Sequence, residues 1–382
     1  RPTGLLDPKI TIKPSENQID DLMEEKHLKI EKNERIERRK RSADRNTRHL
    51  TKWLNENHIQ IDWERAFEWI DKNEKLNDEQ KFFYSYAVEK IRFKIWQYSR
   101  SGKDNRLHSN LTNLPSSLRQ FIKTNTYGLA SLDIKSSQPY ILAGVLNLIS
   151  QIKGIELIHK LKSNAIKKTY LSIMNLISLE SLVVTDFKSY INLVCNFDIY
   201  NYVGENLKDD FITSISCKSS KGAFRDKIFN STSQKKETKY FKDLRAYCKT
   251  LTLEYMYCSV ENKLERIKQI KNIYPKAVNK FIQDFKYCKE LEILKNKRTK
   301  KNKEKIKASK KLFPQFLQQL ESGIMLDTIT KEISKKHPNM FMATIHDSIV
   351  IPQDYITIVK PYFEKRLFEI FGIKANIKTE FW

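Results

Sequence analysis

The sequence predicts an α+β protein, mostly helical, built around a small antiparallel sheet. Three observations carry that reading. Apolar residues recur at helical spacing over long stretches, beginning with Leu50, Trp53 and Leu54. The run Leu129-Ala130-Ser131-Leu132-Asp133-Ile134 has the composition of a buried strand. Between Met342 and Pro352, two short β-branched runs flank His346-Asp347-Ser348, which reads as a hairpin with an acid at its turn.

The elements follow in order. Residues 1–20 are polar with three prolines and read as an arm or strap. Residues 21–48 carry dense alternating charge and read as an exposed helix, in which Arg38–Arg41 is either a phosphate contact or a solvated face. Two further helices follow. One holds Trp63, Phe67, Trp69 and Ile70; the other holds Phe82, Phe83, Tyr86, Ile91, Phe93, Trp96 and Tyr98, aromatics assigned to the core. Near Gly102 the pattern breaks into short runs, which sets a boundary. After the 129–134 strand, Ser136-Ser137-Gln138-Pro139 supplies N-cap chemistry with proline in the first turn, and an apolar helix runs from Tyr140 to Ile149. Residues 150–240 are expected to be mostly helical with a polar loop near Ser216–Ser220, and 240–269 to form one long helix. Lys295–Lys311 is a Lys-rich loop or solvated helix. A helix over 313–335, the 347 hairpin, a helix over 354–371 and an edge strand Ala375–Phe381 complete the chain, without internal repeats.

Seventy Lys and Arg against 46 Asp and Glu give a formal charge of +24, which calls for a polyanionic partner. A Lys/Ile/Asn-biased gene is the plainer source of such a surface. The five cysteines form no C-x-x-C pair and have no His at ligand spacing, so neither a zinc site nor a disulfide framework is expected. No run approaches the roughly 20 apolar residues of a membrane span, and no membrane partner is expected. The expectation is a soluble cytoplasmic protein.

Three groups of residues carry chemistry. Asp133 and Asp347 are strand-borne acids far apart in sequence, with the Ile134 carbonyl beside the first. Hard oxygen ligands of this kind suit two Mg²⁺ ions about 3.5–4 Å apart, or Mn²⁺ in their place, for phosphoryl transfer. On the helix after residue 240, Arg245, Lys249 and Met256 share one face at about 100° per residue, with Leu253 and Tyr257 beside it. Two cations one turn apart can grip a triphosphate and an aromatic can stack on a base; a water-facing amphipathic helix is the alternative. Third, Arg106, His108, Asn113, Arg119 and Phe121 lie in and after a loop ahead of the 129–134 strand, where they either track a primer or template backbone or form a surface turn.

In this order the residues resemble the palm and fingers of family A DNA polymerases and the related single-subunit phage and mitochondrial RNA polymerases. Asp133 with Ser137, Gln138 and Ile141-Leu142-Ala143 looks like motif A; Arg245-x3-Lys249-x7-Tyr257 looks like motif B; His346-Asp347 looks like motif C. Asp198-Ile199-Tyr200, Tyr274-Pro275 and Asn113-Leu114-Pro115 are lesser echoes. The resemblance spans roughly residues 100–382. It implies a right-hand polymerase fold with an antiparallel β-sheet palm, mostly helical fingers and a helical N-terminal thumb-like region. The corresponding divisions are 1–100 (thumb-like), 101–149 (palm, motif A), 150–272 (fingers) and 273–382 (palm completion, motif C).

The resemblance also implies two Mg²⁺ on Asp133 and Asp347, and triphosphate contacts from Arg245 and Lys249. Tyr257 would lie near the nascent pair, Gln138 at the nucleotide sugar and His346 near the primer terminus. The implied partners are primer–template DNA or RNA and nucleoside triphosphates, with room for an accessory protein subunit. Some positions depart from the families. Gln138 stands where the DNA polymerases carry Glu and the RNA polymerases Gly. Ser348 follows Asp347 as in the RNA polymerases, and Cys258 replaces a glycine after motif B. No exonuclease domain fits, so proofreading is not expected. The expected activity is template-directed nucleotide addition by a phage, plasmid or defence-locus DNA polymerase. The alternatives are a compact RNA polymerase, a non-catalytic nucleic-acid-binding palm and an untemplated transferase.

Overall fold

The computed structural model describes residues 16–55, 58–124, 128–177, 181–230, 235–258, 262–286 and 311–382. Most of the expected N-terminal arm, Cys288 and the Lys-rich stretch up to residue 310 lie outside the described residues.

The charged N-terminal helix continues through the Leu50–Leu54 run as α1 (Glu16–Asn55). It kinks at Thr47 (φ −139°), whose hydroxyl donates to the Ala43 carbonyl at 2.7 Å. That back-bond competes with the helix ladder and bends it. Next come β1 (Ile59–Ile61), α2 (Trp63–Lys72) and α3 (Asp78–Arg92). Asn77 starts α3 with a capping box to Gln80. Helix α3 buries only a narrow stripe, Val88 and Ile91; Phe82, Phe83, Tyr86 and Phe93, expected in the core, are exposed. Helical spacing fixes which residues share a face but not which face a neighbour covers. Trp96 and Tyr98 are buried as expected.

Two short strands, β2 (Tyr98–Ser99) and β3 (His108–Ser109), pair and lead into α4 (Asn110–Asn113). Strand β4 (Ile122–Thr124) pairs with β1, and β5 (Leu129–Ile134) enters the main sheet. The helix after it, α5 (Ser137–Ser150), is apolar around its whole circumference and buried along nearly its whole length, as such helices are. Ser136 enters it in the left-handed region (φ 56°) with no side-chain capping bond, so the expected N-cap is a backbone turn instead.

Helices α6 (Asn164–Leu176), α7 (Ser181–Asn196), α8 (Ile199–Glu205) and α9 (Asp209–Ile215) follow. The expectation of helix up to residue 240 then fails. An antiparallel sheet stands there instead, of β6 (Ser216–Ser219), β7 (Gly222–Asn230) and β8 (Lys235–Phe241). The expected long helix is two, α10 (Leu244–Tyr257) and α11 (Glu265–Ile273), because Cys258 turns extended (ψ 166°) and ends the first.

Helix α12 (Lys276–Lys286) packs Phe281 and Phe285 against Phe313 and Phe316 of α13 (Leu312–Ile324). A π-helical turn, Met325–Ile329, joins α13 to α14 (Thr330–Lys336). The hairpin β9 (Ala343–Ile345) and β10 (Ser348–Pro352) leads to α15 (Ile356–Phe371) and β11 (Ile377–Phe381). The main sheet is wholly antiparallel in the order β11-β5-β10-β9, so the two strands expected to carry acids are neighbours. Tyr140 of α5 donates to the Ile373 carbonyl at 3.1 Å and Asn147 to the Phe371 carbonyl at 2.8 Å, tying α5 to the segment that feeds β11. No described helix is long and apolar enough to cross a membrane.

Candidate active site

In the ladder between β5 and β10, Asp133 stands directly opposite Ser348, the residue after Asp347. The turn between β9 and β10 is only His346 and Asp347, with His346 in the left-handed region (φ 55°). A non-glycine residue there stores about 1–3 kcal/mol of strain. Ser348 closes the turn by donating to the Ile345 carbonyl at 2.9 Å. Two sequence-distant acids are thus brought together at one end of the sheet.

Burial, together with the charge of Asp347, pushes the Asp133 carboxyl up to about 7; Glu380 adds to the rise, while Lys249 and Lys378 oppose it. Like charges at short range in a partly dry site are costly, and a divalent cation between hard oxygens relieves that cost. The donor chemistry therefore fits Mg²⁺ or Mn²⁺. Ile134, whose carbonyl is the candidate backbone ligand, is the last residue of β5 and pairs with Ile377. Among the described residues no three His, Cys, Asp or Glu side chains gather as a metal cage. An ion held here would draw its other ligands from backbone, water and phosphate oxygens, as Mg²⁺ does.

Beneath the acids lies a carboxylate the sequence reading missed. Glu321 of α13 is 1 % exposed and forms an ion pair with Arg106. It accepts from the Gln138 amide at 2.5 Å and from the Ser137 hydroxyl at 3.4 Å. Burial raises its carboxyl to about 7 against the pull of Arg106, with Asp347 adding to the rise. Arg106 also feels the charge of Asp347. The signal for Glu321 was present: it shares a helical face with Leu317 and Ile324, where a solvated acid does not belong.

Helix α10 supplies the cations. Arg245 donates through Nε and Nη2 to one Asp198 oxygen at 2.9 and 2.8 Å, and Lys135 approaches the same oxygen at 3.3 Å. Asp198 also caps α8, accepting from the Tyr200 and Asn201 amides. Burial would raise the Asp198 carboxyl, but hydrogen bonds from Arg245 and Lys135 hold it below the usual range. The Arg245 guanidinium lies over the Tyr200 ring, 5.3 Å from its centroid. Lys249, one turn on, is exposed, and its charge reaches Asp133. Tyr257 ends the helix in the field of Arg106, Glu321 and Asp347. Met256, placed on the cation face by helical spacing, is fully buried.

The remaining candidates divide. His108 bonds Asp104 at 3.0 Å and meets the His346 ring edge-on at 6.1 Å. Arg119 feels the charges of Glu380 and Asp133 and lies 5.8 Å from the Trp382 ring. Asn113 is exposed at the end of α4, and no contact among the described residues joins it to the acids. Lys378 and Glu380 of β11 bring their charges to Asp133 without having been singled out; only strand order brings them there.

No family model matches the chain. A stretch of 36 residues is similar to UvrABC system protein B, 64% identical to that of Staphylococcus aureus (strain N315) and 72% identical to that of Bacteroides thetaiotaomicron. It amounts to 9% of this chain and 5% of either relative. Among solved structures, the POL domain of Pol1 from M. smegmatis, in complex with DNA primer-template and dNTP, overlays with a TM-score of 0.44 at 11% identity. The overlay covers 79% of this chain and 51% of that one.

Proposed function

We propose that this chain is a nucleotidyltransferase that extends the 3′ end of a nucleic acid on a template, using nucleoside triphosphates. The observation that carries this reading is the register that sets Asp133 opposite the neighbour of Asp347. In the reaction, the 3′ oxygen bonds to the α-phosphorus, the bond to the bridging oxygen breaks, and pyrophosphate departs. Asp133, Asp347 and the Ile134 carbonyl would hold two Mg²⁺, which when bound lower the pKa of the attacking hydroxyl and offset charge on the pyrophosphate.

The protein's own part is positioning and charge. Arg245 and Lys249 grip the triphosphate from α10, with Lys135 from the other side of Asp198. Tyr257 abuts the nascent pair. Gln138, pinned by Glu321, forms a fixed wall at the nucleotide sugar. His346, Arg106, His108 and Arg119 line the path of primer and template, with Asn113 further out. In this reading α1–α3 occupy the thumb's place, the main sheet is the palm, and α6–α11 are the fingers.

A pinned, bulky Gln138 favours deoxynucleotides, so DNA synthesis is the first reading. RNA synthesis is the second, and the observation behind it is Ser348, a hydroxyl that closes the turn where a second acid would suit a DNA enzyme. Primer–template extension with dNTPs and NTPs offered separately tests both. Extension with dNTPs alone supports the first reading, and extension with NTPs alone replaces it with the second. No incorporation of any of the eight nucleotides with Mg²⁺ or Mn²⁺ would sink the proposal.

A further inference from the structure

The sheet β6–β8 is not used by the proposed chemistry, yet its two faces are sharply unlike. Alternation along β7 sorts its side chains. On one face, Asp226 accepts from the Tyr247 hydroxyl of α10 at 3.0 Å and faces the Arg266 guanidinium of α11 at 3.4 Å. Arg266 is locked in turn to Glu254 by two bonds of 2.8 Å. Phe224 and Phe241 pair on the same face, and Phe241 is buried. That face is thereby fastened to the helices.

The opposite face is cationic. Arg225 and Lys227 are exposed on β7, with Tyr240, Thr238 and Lys236 of β8 opposite residues 225, 227 and 229 of the same face. Lys221 lies 5.8 Å from the Tyr240 ring. None of Lys221, Arg225, Lys227 and Lys236 is in an ion pair with a described residue. The one acid of β7, Asp226, is spent on Arg266 and Tyr247. An antiparallel ribbon with a row of unpaired cations and no acid between them on that face matches an ordered polyanion, and a twisted antiparallel ribbon has the width of a DNA major groove.

We propose that the outward face of this ribbon binds the phosphate backbone of duplex nucleic acid, at a site separate from the two aspartates. The inference goes beyond the proposed reaction and does not depend on it, because binding is read without nucleotide or turnover. The test compares the full chain with the variant Arg225→Thr/Lys227→Thr/Lys236→Thr. Threonine keeps strand propensity, and thermal melting confirms folding. A control, Lys360→Gln/Lys365→Gln/Lys374→Gln, removes the same charge elsewhere. Fluorescence anisotropy follows binding to a labelled short duplex, to the single strand of the same sequence and to anionic vesicles over a salt series.

The ribbon variant should lose about tenfold or more in duplex affinity, and its salt slope should shrink by about two to three. The control should lose clearly less. The proposal is overturned if the variant binds duplex like the wild type, or if the control falls equally, which would make the effect one of total charge. It is overturned too if only single-strand or only vesicle binding is lost.

Discussion

Gln138 of α5 and Glu321 of α13, 183 residues apart in sequence, share a 2.5 Å hydrogen bond beneath the paired aspartates. The bond exists because Glu321 is buried as part of a charge pair with Arg106, which leaves its second oxygen to the Gln138 amide. Removing one member of such a pair strands the other charge in a dry interior, which costs about 3–5 kcal/mol. Glu321→Ala is therefore expected to lose about that much in chemical denaturation. Replacing both partners, Arg106→Met with Glu321→Met, should cost much less than either single change. Equal or additive losses would show that the pair is not buried as a unit.

The aspartates invite the opposite result. Asp133 pays for burial and for the charge of Asp347, so its ionised form is strained in the metal-free fold. Asp133→Asn removes that strain at constant shape. It should raise the melting temperature in the absence of divalent ions while lowering nucleotide incorporation by several orders of magnitude. Asp347→Asn, which takes away the charge acting on Asp133, should do the same. Retained incorporation in either variant would remove that aspartate from the catalytic role.

What the sequence disclosed follows the strength of its periodic signals. The strand Leu129–Ile134 and the hairpin around Asp347 are legible because β-branched runs bounded by polar turns have few other folds open to them. That the two strands are neighbours, with residue 133 facing 348, is a matter of sheet order, which no local pattern encodes. The ribbon β6–β8 escaped notice because Lys235-Lys236-Glu237-Thr238-Lys239 is polar throughout and Asp226 interrupts the apolar face of β7, so a clean alternation of apolar and polar residues is missing. Arg245 and Lys249 could be placed on one helix face. The carboxylate that holds Arg245 lies 47 residues upstream and was visible only as an echo of a motif.

The junction between α1 and the π-helical turn should respond to acid. His49 of α1 contacts the Thr330 hydroxyl at 3.0 Å, just past that turn, and burial and the nearby Lys331 charge push its imidazole down to about 4. The folded protein thus resists a proton that the unfolded chain accepts near pH 6.5. Stability contributed by neutral His49 is complete above that value and is lost as pH falls towards 4, by up to about 3 kcal/mol. Denaturation at pH 7 and pH 4.5 should show a loss in the wild type that is markedly smaller in His49→Gln. A loss of the same size in both would locate the acid sensitivity elsewhere.

Gly144 shows how closely α5 is packed. A Cβ at this position would run into the ring of Phe371, which is fully buried and held edge-on to Tyr140 at 5.7 Å. Alanine improves helix propensity by about 1 kcal/mol, but overpacking of a fixed core costs about 1–3 kcal/mol. Gly144→Ala should therefore be neutral to clearly destabilising in denaturant titrations, although it replaces a helix breaker with the best helix former. A gain near 1 kcal/mol would mean that Phe371 can move aside.

Asp198 separates two views of the cation site. If Arg245, Lys135 and Lys249 attract a triphosphate only through net charge, removing a neighbouring acid should tighten binding. If Asp198 instead holds Arg245 and Lys135 in place, as its shared oxygen at 2.8 and 3.3 Å implies, then losing it frees two long side chains. Each would then pay ordering entropy of about 0.5–1.5 kcal/mol on binding. Asp198→Asn keeps the shape and the capping of α8 but weakens the ionic hold. Isothermal titration with inorganic triphosphate is expected to show affinity falling by about threefold to tenfold in Asp198→Asn, with Arg245→Ala and Lys135→Ala each falling as well. Tighter binding by Asp198→Asn would reduce the site to net charge and remove Asp198 from the positioning role.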